Sequence, residues 1–174
     1  MRFTNNEQLQ QKSKDQADRL LRLIFQADDL IQFQALKGKK SFIKYWSIDQ
    51  FVENIEQFQN LNDEGYNIYF GINPRAEESA KSSAVKIAHA AFIDIDGVEV
   101  STGRDMFESD FGYYPTADWK SGGGYQAICL FDGPIPVNVW QSIQTGLIQA
   151  VHSMDSTIGD PPQLARLPGF FNVK

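Results

Sequence analysis

The run from Ala88 to Ile95, AHAAFIDI, is apolar at nearly every position, and it limits what this chain can fold into more than any other feature. A strand with one wet face alternates apolar and polar residues, whereas a continuous apolar strand is buried on both faces and needs other elements packed on each side. The run is therefore expected as a central strand. A second apolar segment, Tyr66 to Ile72, precedes it across the polar loop EESAKSS. With 174 residues, 42% of them hydrophobic, the chain can bury one substantial core but is too short for two ordinary domains. One domain spanning residues 1–174 is expected, with a helical N-terminal part over about 1–30 and a motif-bearing core over about 66–174.

Local signals elsewhere mix helices and strands. From Asn6 to Gln26 apolar residues are sparse until Leu20, Leu21, Leu23, Ile24 and Phe25, which predicts a helix with polar first turns and a packed end. Ile31 to Leu36 and Phe42 to Trp46 read as strands joined by the turn-forming KGKK. Ser47-Ile48-Asp49-Gln50 fits a capping box, and Phe51, Ile55 and Phe58 continue at helical spacing toward a stop at Asn62 to Gly65. Val98 to Trp119 has no clear period and holds Gly103, Gly112 and Pro115, so at most one short helix or strand pair is expected there. Tyr125 to Phe131 reads as a strand and DGPIP as a turn. Asn138 to His152 reads as a helix capped by Asn138, with Trp140, Ile143, Leu147 and Val151 on one face. After Met154 the pattern predicts loop, a short turn near Gln163 to Leu167 and an extended end. The abrupt finish at Val173-Lys174 is what a fragment of a longer protein would show. Without strict strand-helix alternation, an α+β domain is expected rather than a doubly wound parallel sheet.

Composition narrows the functional classes. A net charge of -6 argues against nonspecific coating of nucleic acid, which draws its energy from Lys and Arg. It is compatible with a local site, because carboxylates that bind divalent ions lower the global charge while the ions reverse it locally. Lys37, Lys39, Lys40 and Lys44 form the densest basic stretch, readable either as a contact for a template backbone or as a solvated loop face. The single cysteine, Cys129, excludes an intramolecular disulfide and a Cys-rich zinc cluster; inside AICLF it reads as a buried small hydrophobe. No uncharged apolar run reaches the roughly 18 residues of a membrane span, and the N-terminus lacks the apolar centre of a signal peptide. A soluble, cytoplasmic protein with no membrane partner is expected.

Three clusters carry chemistry. In AAFIDIDGV, residues 90–98, Asp94 and Asp96 end the apolar strand two positions apart, so both carboxylates project to one side at a spacing suited to sharing divalent cations. Two-metal phosphoryl transfer needs such a pair, although D-x-D at a strand end also serves as a turn or cap. In WKSGGGYQAICLF, residues 119–131, three consecutive glycines let the backbone approach a ligand and expose amides to an anion. Gln126, Ser121 and Lys120 add a hydrogen-bonding amide, a hydroxyl and a charge; a flexible hairpin turn is the alternative. In residues 152–174, Asp155 follows a helix end, Asp160 comes five later, and Arg166 precedes a Leu-Pro-Gly turn that would fix its direction. Arginine grips phosphate bidentately, while an ordinary charged surface loop fits as well.

In combination and in this order, the D-x-D strand end, the Gly-rich turn leading to a polar strand residue, the apolar-Asp pair, R-L-P-G and N-x-K resemble the archaeo-eukaryotic primase superfamily. The resemblance runs from about Tyr66 to Lys174 and is to the primase-polymerases of plasmids, phages and mobile elements; FGINPR, residues 70–75, also resembles a strand and turn upstream of their D-x-D motif. It implies a two-layer α+β catalytic core, a mixed or antiparallel sheet covered by helices such as 48–61 and 138–152. It implies that Asp94, Asp96 and Asp155 are catalytic metal ligands for Mg2+ or Mn2+. It also implies that Lys120, Ser121, Gly123, Gly124, Gln126, Arg166 and, more weakly, Lys174 hold the nucleotide. The activity implied is priming or primer extension on single-stranded DNA from nucleoside triphosphates, with a helicase or primer-binding domain as partner in a longer protein. The superfamily's second motif usually ends in histidine. Gln126 stands there instead, keeping a donor without a chargeable group, which shifts weight to Arg166 and Lys120.

Two rival readings follow from the same residues. A non-catalytic nucleic-acid or replication-origin binding module on this fold would be expected to lose at least one of the three aspartates, and none is lost. A metal-dependent phosphohydrolase or nuclease would use the paired aspartates but leave the Gly-rich turn and R-L-P-G without a role. His89 and His152 occupy no motif position and read as structural. Tyr113, Tyr114 and Trp119 are readable as base-stacking platforms or as cover for the core.

Overall fold

The computed structural model describes residues 5–151 and 154–173. Its helices are α1 (Asn5–Ile24), α2 (Ile48–Glu53), α3 (Ile55–Asp63), α4 (Val100–Phe111) and α5 (Val137–Ala150). Its strands are β1 (Ile31–Lys37), β2 (Lys40–Trp46), β3 (Asn67–Gly71), β4 (Ile87–Asp96), β5 (Ala117–Lys120), β6 (Gly124–Pro136) and β7 (Leu164–Arg166). The strands form two sheets, ordered β2-β1-β3-β7 and β4-β6-β5, and every pairing is antiparallel. The architecture is α+β, as expected, with the choice between a mixed and an antiparallel sheet resolved to antiparallel.

The first sheet packs on its helices through aromatic rings. Phe33 of β1 stacks on Phe51 of α2 with centroids 4.1 Å apart, and Phe42, Trp46 and Phe33 meet Phe58 of α3 edge-on. Ser47 closes the predicted capping box: its hydroxyl accepts from the Gln50 backbone, and the Gln50 side chain accepts from the Ser47 amide. The continuous helix expected over 48–61 is broken at Asn54, whose side chain donates to the Gln50 carbonyl and whose own amide is shared between the carbonyls of Gln50 and Phe51. Such local bonding competes with the helical ladder.

β4 is buried as predicted, yet it lies at the edge of its sheet rather than in the centre. The side chains of α5 replace the missing neighbour. Trp140 Nε1 donates to the Ala90 carbonyl, and the amide of Gln144 both donates to the Phe92 carbonyl and accepts from the Phe92 N–H. This explains a correction on α5: the position facing the core after Trp140 is Gln144, fully buried, while Ile143 is exposed. Asn138 does not cap the helix either. Pro136 occupies the cap position and the Val137 amide is taken by the Lys86 carbonyl. DGPIP does not turn the chain; it lies inside β6, where the register against β4 shifts between Ala88 and Ala90.

The stretch from Val98 to Trp119 holds more structure than its pattern suggested, a 12-residue helix and β5. Val100, Gly103, Phe107 and Phe111 do recur at helical spacing, but the glycine conceals it. A Cβ at Gly103 would run into the ring of Tyr125, so the core-facing position has to be bare. The turn expected near Gln163 to Leu167 is partly the short strand β7, paired to β3. Cys129 is only partly buried.

The last residues are held by two asparagines. The Asn62 side chain donates to the Phe171 carbonyl and accepts from its amide, and Asn67 does the same for Val173. Each amide side chain mimics a strand partner, and the intervening Asn172 points the other way, against Gly122.

Gly103→Ala tests the packing account. Helix propensity alone favours alanine by about 1 kcal/mol, but the clash with Tyr125 should outweigh it and leave the variant less stable by about 1–2 kcal/mol. Urea unfolding midpoints decide between the two signs.

Candidate active site

Asp94 and Asp96 leave β4 on the same side and line a cleft of about 230 Å³ together with Tyr69, Ser121, Gly123, Gln126, Arg166 and Asn172. The strand ends at Gly97, whose φ of 72° lies in the left-handed region and whose amide donates to the Gly123 carbonyl. The Gly-rich turn therefore sits directly over the D-x-D end. Gly124 is required by close packing: a Cβ there would strike the Ile95 carbonyl.

Gln126 is 5% exposed and its amide is engaged at both ends. Its Nε2 donates to Asp94 Oδ2 at 2.8 Å. Its Oε1 accepts from Trp119 Nε1 at 3.1 Å and from the Arg166 backbone amide at 3.1 Å. Trp119 Nε1 also donates to the Arg166 carbonyl. These contacts close the free edge of β7 with side chains from the other sheet, and they put Arg166 and Asp94 on one cleft. Arg166 itself lies over the Tyr69 ring, 4.6 Å from the guanidinium carbon to the centroid.

Asp155 reaches the site through its backbone. Its amide donates to the Asp94 carbonyl, and Met154 bridges Ile95, so the segment after α5 continues the cover of the β4 edge. Its carboxylate is turned to Thr157, accepting from the amide and the hydroxyl at 2.8 Å each, and does not line the cleft. Asp160 accepts from Ser82 instead. Lys120 is drawn away by Glu99, at 2.8 and 2.9 Å, and borders a larger cavity of about 580 Å³ between α1 and residues 166–172. That cavity shares Ser121, Arg166 and Asn172 with the cleft. Lys174 and His152 lie outside the described residues. His89 is buried against Asp29, 2.8 Å away, and the ring of Phe25. Trp119 belongs to the core, whereas Tyr113 and Tyr114 are exposed.

The electrostatics are those of two opposite charges, each half-buried and neither in an ion pair. Asp94 Oδ1 has no hydrogen-bond partner, and burial raises the carboxyl from 3.8 to about 6, with Asp96 and Asp155 pushing the same way and Gln126 opposing. Arg166 Nε and Nη1 are likewise buried and unpartnered, and burial lowers the guanidinium pKa. Among the described residues no three His, Cys, Asp or Glu side chains are grouped as a ready-made metal cage. The donor set nevertheless fits a hard divalent cation: a partnerless buried carboxylate oxygen beside a second carboxylate is what such an ion neutralises.

Tyr69 and Asn172 were not singled out from sequence. Asn172 stands within the quoted N-x-K, but the role of Tyr69 depends on the pairing of β3 with β7, which no local pattern reveals.

This is the fold of the catalytic domains of primase-polymerases. In particular, the structure is similar to the AEP domain of the cyanophage S-2L primase-polymerase, with a TM-score of 0.75 and 18% identity over 88% of this chain and 80% of that one. It is also similar to the catalytic domain of the primase RepB′, solved in complex with initiator DNA, with a TM-score of 0.70 and 16% identity over 93% of this chain and 79% of that one. In a second RepB′ primase structure the match covers 51% of that chain. No protein-family profile and no curated protein matches the sequence.

The raised Asp94 pKa fixes a pH dependence. Between about 3.8 and 6 the folded protein holds a proton that the unfolded chain has released, so stability falls as pH rises through that window and stays lower above it. Asp94→Asn lacks this loss. In metal-free melts it should gain on the wild type from pH 4 to 6, and added manganese at pH 7 should stabilise the wild type alone. Parallel curves for the two proteins would contradict the buried charge.

Proposed function

We propose that this domain is the catalytic core of a DNA primase or primase-polymerase, which synthesises or extends primers on single-stranded DNA by nucleotidyl transfer. The observation that carries the reading is the cleft itself: a partnerless aspartate oxygen beside a second aspartate, with an arginine that makes no ion pair lining the same space, on this fold. A nucleoside triphosphate with its divalent ions has the complementary charges. The complex of the RepB′ primase with initiator DNA supports DNA as the template partner.

Asp94 and Asp96 would hold Mg2+ or Mn2+, which when bound lowers the pKa of an attacking hydroxyl and neutralises the departing phosphate. Gln126 fixes the Asp94 carboxylate by donating to Oδ2, which leaves Oδ1 free for the ion. Arg166 would offer its guanidinium to phosphate oxygens, and Ser121 and Gly123 border the same space. Asp155 would join the ligands by turning from Thr157. A non-catalytic DNA- or origin-binding module on this fold is the second reading, favoured by that engaged Asp155 carboxylate.

Incubation with single-stranded DNA, manganese or magnesium and each nucleotide set separates the readings, since the module would bind DNA without incorporating nucleotide. Changing Asp94 and Asp96 together to Ala should abolish incorporation while the protein stays folded; retained synthesis would remove the site. Arg166→Ala should raise the Michaelis constant for nucleotide by roughly one to two decades, on the scale of a lost charge-assisted hydrogen bond of about 1.5–3 kcal/mol. Arg166→Lys should recover only part, because a point charge cannot reproduce the planar fork. Affinity for single-stranded DNA should barely change in either variant, and its collapse would move Arg166 to the template path.

A further inference from the structure

Among the described residues, the cation that lines the cleft is Arg166, and its side chain lies over an aromatic face. Tyr69 and Arg166 are directly opposite in the β3–β7 ladder. Around them the backbone bonds run from the Leu167 amide to Ile68 and from the Ile72 amide to Gln163. The Arg166 amide and carbonyl instead point away from β3, to Gln126 and Trp119. Tyr69–Arg166 is thus a non-hydrogen-bonded pair, the kind whose side chains stand closest across an antiparallel ladder. The guanidinium accordingly stacks on the ring at 4.6 Å, and Nε and Nη1 are left buried without partners. The contact restricts where the guanidinium can lie and keeps it at the wall of the cleft, where a phosphate would meet it.

We propose that Tyr69 is a positioning residue for Arg166: its ring holds the guanidinium at the wall of the cleft, so that the phosphates of a nucleoside triphosphate meet a cation already in place. The inference rests on the phosphate-binding reading of Arg166. What the ring supplies is its face, so the hydroxyl is dispensable. Tyr69 is only partly buried, and the core of its sheet is built from Phe33, Ile68 and Phe70 rather than from it.

The test is equilibrium binding of inorganic triphosphate and of dATP by calorimetry, on Tyr69→Phe, Tyr69→Leu and Tyr69→Thr in wild-type and Arg166→Ala backgrounds, with a melting curve for each. Tyr69→Phe should bind both probes within about twofold of wild type. Tyr69→Leu should bind both more weakly by roughly threefold to thirtyfold, the range of a partly desolvated cation–π contact. With Arg166→Ala already in place, Tyr69→Leu should have no further effect; threonine, a strand former, serves if leucine lowers the melting temperature. Rescue by phenylalanine together with this non-additivity is not expected of a general packing role. Undiminished binding in Tyr69→Leu would overturn the proposal while sparing Arg166. Equal weakening in the Arg166→Ala background would also overturn it, because Tyr69 would then touch the ligand itself. Unchanged binding in Arg166→Ala alone would sink the phosphate reading, and this inference with it.

Discussion

The open edge of β4 governs how the rest of this domain is arranged. A buried strand with one unpaired edge carries N–H and C=O groups that must find partners away from water. Here the Ala90 carbonyl goes to Trp140, both Phe92 groups to Gln144, and the Asp94 carbonyl to the Asp155 amide. Because the last of these partners belongs to the segment after α5, covering the edge also brings the Asp155 backbone against Asp94, while its carboxylate stays turned to Thr157.

The free edge of β7 is closed in a related way, by the side chains of Gln126 and Trp119 instead of a strand. Side-chain closure has a consequence that strand pairing would not. Gln126 holds the Arg166 backbone amide through its oxygen and the Asp94 carboxylate through its nitrogen, so β7 and the end of β4 are tied together while the two half-buried charges form no ion pair. If they formed an ion pair, each would cancel the other and neither a cation nor a phosphate would be favoured there. Kept apart, each retains an incentive to bind a ligand, and the folded domain carries the desolvation of both.

The sequence made some of this legible and concealed the rest, for reasons that differ by element. The D-x-D strand, the Ser47 capping box and the Gly-rich hairpin are local patterns, and local physics specifies them. α4 was hidden because the position that should show its apolar stripe is Gly103, emptied to admit Tyr125. The exposed Ile143 and buried Gln144 invert the usual pattern on α5, since hydrogen bonding to β4 outranks apolar burial at that site. Lys120 and Asp155 occupy motif positions, yet one is engaged by Glu99 and the other by Thr157. Tyr69 became visible only through the ladder, because its partner lies nearly a hundred residues away in sequence.

The asparagine clasp at the end of the chain recognises main chain and nothing else. Asn62 and Asn67 each read one peptide unit of the tail, at Phe171 and Val173, with a donor and an acceptor. The identities of those two residues are therefore loosely constrained, while the count of residues leading to them is not. An insertion or deletion of a single residue between Leu167 and Phe171 would slide the tail by one peptide, and the position now occupied by Asn172 would turn from the cleft toward α3 and β3. In this stretch the protein measures length more strictly than composition.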